Sequence, residues 1–258
     1  MADLDDILND NFSGSTELAF RVYDFFRNNR SLKREELEMA CSRIISNFPG
    51  MALIRNVADR SLKMALNNDF YDLPAIVKKQ NEMAAEIASK IIKCRSIVTI
   101  SNSSMVYDAI LRMKVLEKVT VLESRPANEG IKMADRLKKA GINVIIATDA
   151  SMCTALKESE AAMIGSDSIL ADGTVINKTG SLPLAICSSY LNKRFTVLST
   201  SMKVEHGYLP ENYPAFLKHE SSEISAGFKV INYYFEMIPP DLISDYVMEY
   251  GTIAEWKP

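Results

Sequence analysis

A chain of 258 residues, 47% hydrophobic and 24% charged, carries enough apolar material for one large core or two smaller ones, which excludes an intrinsically disordered chain. The formal net charge is -3 and the basic residues are scattered, so no direct nucleic-acid contact is expected, although two or three cations suffice for a small anion. Apolar runs such as Val144–Ala147 are strand-length, far short of the ~20 residues of a membrane span. The start MADLDDILND is acidic where a secretory signal is basic and then apolar, so a cytoplasmic protein without membrane contact is expected.

From Ser15 to about Ile92 the apolar spacing predicts helices throughout. Leu18, Val22 and Phe25 share one face, and Leu37, Cys41, Ile44 and Phe48 another, with Pro49-Gly50 as a stop. Val57, Leu62 and Leu66 mark a third helix, and Ile76, Met83, Ile87 and Ile91 the face of a fourth that starts after Leu73-Pro74. Residues 1–92 are therefore expected to form an all-helical N-terminal domain.

After Lys93 the rhythm changes. β-Branched runs at Ile97–Ile100, Val119–Leu122, Val144–Ala147, Ala162–Ile164 and Phe195–Leu198 alternate with helical stretches at Met105–Lys114, Glu129–Ala140, Met152–Lys157 and Leu182–Asn192. Such alternation predicts parallel strands joined by right-handed crossovers, an α/β Rossmann-like doubly wound sheet over residues 93–258. Cys41, Cys94, Cys153 and Cys187 show no paired metal-site spacing and are expected as reduced thiols; no metal or cofactor is expected. Neither Gly-x-Gly-x-x-Gly nor a P-loop follows the first strand.

Ligands of an open parallel sheet bind beyond the carboxyl ends of its strands, where loops meet helix N-termini. Here those ends read Ser101-Asn102-Ser103-Ser104, Glu123-Ser124-Arg125-Pro126, Thr148-Asp149, Gly165-Ser166-Asp167 with the following Asn177-Lys178-Thr179-Gly180-Ser181, and Ser199-Thr200-Ser201 followed by Lys203. Ser, Thr, Asn and Asp there are also ordinary helix caps. Cations at Arg125, Lys178 and Lys203 beside carboxylates at Glu123, Asp149 and Asp167 point to a polar anionic ligand, best a phosphorylated sugar, with amides near Ser103-Ser104 and Gly180-Ser181 holding phosphate oxygens. His206 and His219, in a Pro- and Gly-bearing connection, are expected at the surface.

Three segments, VLESRPANEGIKMADRLKKAGINVIIATDASM, IGSDSILADGTVINKTGSLPLAICSSYLNKRFTVLSTSMK and FEMIPPDLISDYVMEYGTI, together resemble one superfamily. It holds the regulatory alpha, beta and delta subunits of translation initiation factor 2B with their archaeal relatives, and the isomerases of methylthioribose 1-phosphate and ribose 1,5-bisphosphate. The resemblance implies a helical domain on a Rossmann-like domain with a sugar-phosphate pocket between them, homo-oligomers, and initiation factor 2 subunits as partners. It also implies a catalytic cysteine, in the isomerases, where this chain has Ser101, paired with an aspartate that aligns with Asp167. A serine without an adjacent base is a poor acid and a poor base at neutral pH. The isomerases' early arginine-glycine phosphate loop is replaced by Ser13-Gly14-Ser15.

The expected function is thus a regulatory subunit that binds a sugar phosphate or nucleotide without catalysis. Its ligand contacts are expected from Ser101, Asn102, Ser103, Ser104, Arg125, Asp167, Asn177, Lys178 and Lys203. The alternatives are an aldose-ketose isomerase of the ribose 1,5-bisphosphate type, in which Asp167 is catalytic, and an oligomeric scaffold. The resemblance implies a homodimer or a higher even-numbered assembly, for which the aromatic and apolar stretch Phe228–Gly251 is a candidate interface, although core packing explains the same residues almost as well.

Overall fold

The computed structural model describes residues 3–10 and 13–256; the outer limits assigned to the two expected domains, Met1 and Pro258, lie outside the described residues. The chain opens with helices α1 (Leu4–Leu8), α2 (Ser15–Asn28), α3 (Arg34–Asn47), α4 (Ala52–Asn67) and α5 (Leu73–Ile91). Leu18, Val22 and Phe26 of α2, Leu37 and Ile44 of α3, and Leu53 and Val57 of α4 are buried in one cluster. Their recurrence every three or four residues puts them on single helix faces, and each fully buried large side chain contributes about 1.5–3 kcal/mol. Asn68, in the left-handed conformation, ends α4. Asp72 caps α5 by accepting from the Ala75 N–H at 3.0 Å, with Pro74 in the first turn where its missing N–H is harmless.

The buried face of α5 is not the one its large residues suggest. Ile76, Met83 and Ile91 are exposed, and the helix buries Leu73, Val77, Ala84, Ala85 and Ala88 instead. The three alanines let α5 pack closely in the core shared with the following sheet and helix, where larger side chains would hold the backbones apart.

The main sheet comprises β1 (Ser96–Thr99), β2 (Lys118–Leu122), β3 (Val144–Ala147), β4 (Ala161–Ile164), β7 (Arg194–Leu198), β10 (Asp245–Met248) and β11 (Gly251–Ile253) in the order β11-β10-β7-β4-β1-β2-β3. All neighbours are parallel except β10 and β11. Helices α6 (Ser104–Arg112) and α7 (Glu129–Lys139) join α5 in one core; α8 (Met152–Lys157) and α9 (Ser181–Tyr190) contribute to another. The strand order reverses between β1 and β4, so the crevice of a doubly wound sheet opens there. The stretch expected as a dimer interface is divided: Tyr246, Val247 and Met248 are buried in β10, while Phe228 and Ile231 are 74% and 86% exposed.

A second sheet was not legible from periodicity. Strands β5 (Ser168–Leu170), β6 (Val175–Lys178), β8 (Val204–Glu205) and β9 (Phe235–Ile238) pair in the order β8-β5-β6-β9, with β5 and β6 joined through a turn at Asp172-Gly173. This sheet seats the helical part. The Ala52 N–H donates to the Asp167 carbonyl (3.1 Å) and to Ser168 Oγ (3.0 Å), and Asn56 donates to the Met202 carbonyl (2.9 Å). Buried Arg55 pairs with Glu205 at 3.0 Å, and Tyr213 OH donates to the Pro49 carbonyl and lies 2.9 Å from Glu205.

Cys153 and Cys187 are not reduced thiols: α8 and α9 bring their Cα atoms within 5.4 Å and the sulfurs are bonded. Cys41 is a free core thiol whose pKa burial pushes up to about 11; Cys94 is free and half-buried. Among the described residues no helix is long and apolar enough to cross a membrane, and no group of three or more His, Cys, Asp or Glu is placed to hold a metal ion.

Candidate anion-binding site

The crevice is shaped by abrupt strand ends. β1 stops at a left-handed turn, Ser101 at φ 68°, whose N–H donates to Ser124 Oγ at 2.7 Å. Ser124 is itself left-handed, and its N–H and that of Arg125 are held by the two Asp149 oxygens at 2.9 and 2.7 Å. Left-handed backbone at a residue with a Cβ is costly and persists where surrounding bonds fix it, a pattern found at ligand sites. Two glycines permit the close approaches: a Cβ on Gly130 would lie 1.8 Å from the Leu122 carbonyl oxygen, and one on Gly165 would lie 2.7 Å from Ser103 Oγ. Ser103 caps α6 by accepting from the Val106 N–H.

Between these ends and the helical part lies a cavity of about 920 Å³. Ser101, Asn102, Ser103 and Ser104 line one side, and Asp167, Asn177, Lys178 and Lys203 another. The start of α2 closes it: Ser13, Gly14 and Ser15 lie on the wall, and Gly14 brings no side-chain cap to the helix amides behind it.

The charges interlock. Lys203 is buried and donates to the Ser166 carbonyl at 2.5 Å; burial lowers its pKa, with Asp167 opposing. Asp167 is half-buried on the cavity wall, and desolvation pushes its pKa up to about 6 against the pull of Lys203 and Lys178, with Glu129 adding to the rise. Lys178 Nζ is 2.8 Å from Glu129 Oε1 and 4.2 Å from the centre of the Tyr234 ring. That ion pair leaves the buried Lys178 Nζ and Glu129 Oε2 without a well-formed hydrogen bond among the described residues. Unsatisfied buried groups of this kind cost about 1–3 kcal/mol each and mark places where a ligand or water completes the bonding. Asn177 donates to Ser181 Oγ at 2.8 Å, and Arg136 to Asn102 Oδ1 at 2.8 Å while lying over the Tyr107 ring.

Eight of the nine expected contact residues thus share one cavity. Arg125 does not line it; its exposed side chain borders a neighbouring cavity. The expected phosphate donors at Gly180-Ser181 are already occupied, because Glu236 Oε1 accepts from the Gly180 and Leu182 N–H groups at 2.6 and 2.8 Å. Asp149 is engaged by backbone amides, and Glu123 is not on the wall. His206 is exposed, but His219 is half-buried, stacked on Tyr234 with centroids 3.6 Å apart. Sequence reasoning missed Glu129, Lys132, Arg136 and Tyr234, all on the wall. The first three fall at i, i+3 and i+7 along α7, a charged stripe that helical spacing alone would have brought out.

A doubly wound sheet whose reversal point gathers buried cations and carboxylates around one cavity defines the class, an α/β protein with a charged crevice at its switch point. The family model described as the initiation factor 2 subunit family, IF-2B, matches residues 15–255, and the chain belongs to that family. It is 29% identical over 221 residues to a Pyrococcus abyssi protein described as translation initiation factor eIF-2B subunit 2-like, covering 82% of this chain and 79% of that one. It is 23% identical over 239 residues to ribose 1,5-bisphosphate isomerase of Archaeoglobus fulgidus, covering 85% and 76%. The fold matches the crystal structure of Pyrococcus horikoshii OT3 translation initiation factor eIF-2B with a TM-score of 0.86 at 23% identity, over 97% of this chain and 95% of that one.

Proposed function

We propose that the chain is a regulatory subunit of the initiation factor 2B type that binds a phosphorylated sugar or nucleotide without converting it, and that it works in the cytoplasm as a homo-oligomer with initiation factor 2 subunits as partners. The observation that carries the ligand is the pairing, in one cavity, of buried Lys178 and Lys203 with the acceptors Asp167 and Glu129. Cations and open helix amides suit phosphate, and carboxylates suit sugar hydroxyls. Ser101, standing where the isomerases' cysteine is implied, supports binding without turnover, and the described cavity wall offers neither Cys nor His as a base for it.

Isomerase activity is the second reading, favoured by one feature: Asp167 titrates near pH 6, within the range of a working acid or base. The two readings separate in one experiment on the purified protein. Ribose 5-phosphate should raise the melting temperature, by the equivalent of roughly 2.7 kcal/mol at a hundredfold excess over Kd, where ribose does not. Ribose 1,5-bisphosphate and methylthioribose 1-phosphate should remain unconverted. Turnover that is lost in Asp167→Asn would establish the isomerase, and a flat ligand panel at millimolar concentrations would establish the scaffold.

A further inference from the structure

The Cys153–Cys187 bond ties α8 to α9 and closes a stretch of 34 residues. Inside that stretch run β4, the β5–β6 hairpin and three residues of the cavity wall, Asp167, Asn177 and Lys178. Each tied helix continues from a loop that shapes the cavity. α8 follows Asp149, whose two oxygens hold the Ser124 and Arg125 N–H groups, and Ser124 Oγ in turn accepts the Ser101 N–H. α9 follows Lys178, and Ser181 at its start accepts from Asn177 at 2.8 Å. Apart from the bond, little holds α8: it is six residues long, far shorter than a helix that stands by itself, and buries only Met152 and Leu156. Cys187 is buried but Cys153 is half-buried, so the bond is approachable from the α8 side. In the cytoplasm proposed above thiols are kept reduced, and the disulfides that form there are generally transient or redox-sensing.

Resting on the phosphate-binding function proposed above, we infer that Cys153–Cys187 is a site of reversible thiol–disulfide exchange that sets the affinity of the anion cavity. The thiolate of a dithiol reductant attacks Cys153 Sγ, forms a mixed disulfide and expels Cys187 as a thiolate, which takes up a proton. The reductant's second thiol then gives up its proton, attacks the reductant's own sulfur in the mixed disulfide and expels Cys153, which is protonated in turn. Two electrons pass to the protein, the reductant leaves as its internal disulfide, and an oxidised dithiol reverses the sequence. With the bond closed, α8 is pinned and Asp149 keeps the turn at Ser124 and, through it, Ser101 in place. With the bond open, α8 rests on two buried side chains, the Asp149 clamp loosens, and a ligand must order the loops that it otherwise finds ready.

The test uses the full chain in its oxidised form and after treatment with dithiothreitol, with thiols counted in denaturant. Only Cys41 and Cys94 should react in the oxidised form, and all four cysteines in the reduced one. Calorimetric titration with ribose 5-phosphate is expected to give a Kd at least fivefold weaker for the reduced chain, restored on reoxidation. Amide hydrogen exchange without ligand should quicken at least tenfold at Ser101, Ser124 and Arg125 on reduction and stay unchanged in α2 and α4. The double variant Cys153→Ser, Cys187→Ser should bind as the reduced wild type does and ignore dithiothreitol, while Cys94→Ser should respond as the wild type; the reduced wild type carries the comparison should the double variant not fold. Equal affinity in the two redox states, or unchanged exchange at the three amides, overturns the inference and leaves the phosphate site standing. A bond that dithiothreitol cleaves only after the chain unfolds is a permanent staple and overturns it as well. Absence of binding in both states at millimolar ribose 5-phosphate removes the phosphate site, and the inference with it.

Discussion

Helices α6 and α9 both begin where a strand ends near the crevice, yet their N-termini have opposite fates. At α6 the Ser103 side chain takes the Val106 N–H and the helix end faces the cavity. At α9 the chain's own carboxylate, Glu236, sits on the Gly180 and Leu182 N–H groups and fills the place an anionic ligand would take. A strand-to-helix junction is thus only a potential anion site. What decides is whether another part of the fold supplies the negative charge first. Glu236 comes from β9, 56 residues beyond Gly180, so the closure of α9 depends on a pairing between β6 and β9 that local sequence does not display.

The largest expected effect concerns the carboxylate beneath the open end. Folded Asp167 keeps its proton to about pH 6, whereas the unfolded chain releases it near the ordinary 3.8. Between those values the folded state binds more protons, so the contribution of Asp167 to stability is complete below about pH 4 and declines as the pH rises through 6. The full difference amounts to about 3 kcal/mol. Asp167→Asn should therefore match the wild type in thermal stability below pH 4 and exceed it above pH 6. Parallel melting curves across pH 4–7 would show that Asp167 is not desolvated as the cavity geometry implies.

Next comes the closed end itself. Glu236→Ala leaves the first amides of α9 without their acceptor, at an expected cost of about 2 kcal/mol. It should also convert that end into an open one, so that millimolar inorganic phosphate restores more stability to the variant than it adds to the wild type. An unchanged melting temperature would mean that water serves α9 as well as Glu236 does, and would dissolve the contrast with α6.

What the sequence disclosed follows the range of the forces involved. Five strands of the parallel sheet and the helices between them announce themselves through β-branched runs and amphipathic spacing, which are local signals. The second sheet stayed hidden because β5 and β8 span only three and two residues, too few for alternation to stand out, and β6 meets β9 only across a long connection. In α5, counting large side chains selected Ile76, Met83 and Ile91, while packing selected alanines for their small size. The same holds at the site. Ser101, Asp167, Lys178 and Lys203 were legible as polar ends of strands; the stripe of Glu129, Lys132 and Arg136 could be read as one helix face but not as part of the site, because the pairing of Glu129 with Lys178 exists only once β6 and α7 meet. The Cys153–Cys187 bond likewise required the contact of α8 with α9.

That pairing sets the smallest and most discriminating prediction. Glu129 neutralises one of the two buried lysines, so an incoming phosphate must compete with a carboxylate already in place. Glu129→Gln keeps the side-chain volume and removes the charge. Because Glu129 retains 26% of its side-chain exposure, solvent screens the pair, and the gain in anion affinity should stay within about fivefold, or about 1 kcal/mol. Inorganic phosphate should show this gain, with a steeper loss on adding salt as the freed Lys178 takes part. Ribose 5-phosphate should gain less than inorganic phosphate, because the glutamine that releases Lys178 is also a weaker acceptor than carboxylate for a sugar hydroxyl. Equal gains for both ligands would show that Glu129 only tempers the charge of Lys178; a loss for both would show that the ion pair is needed to hold Lys178 in position.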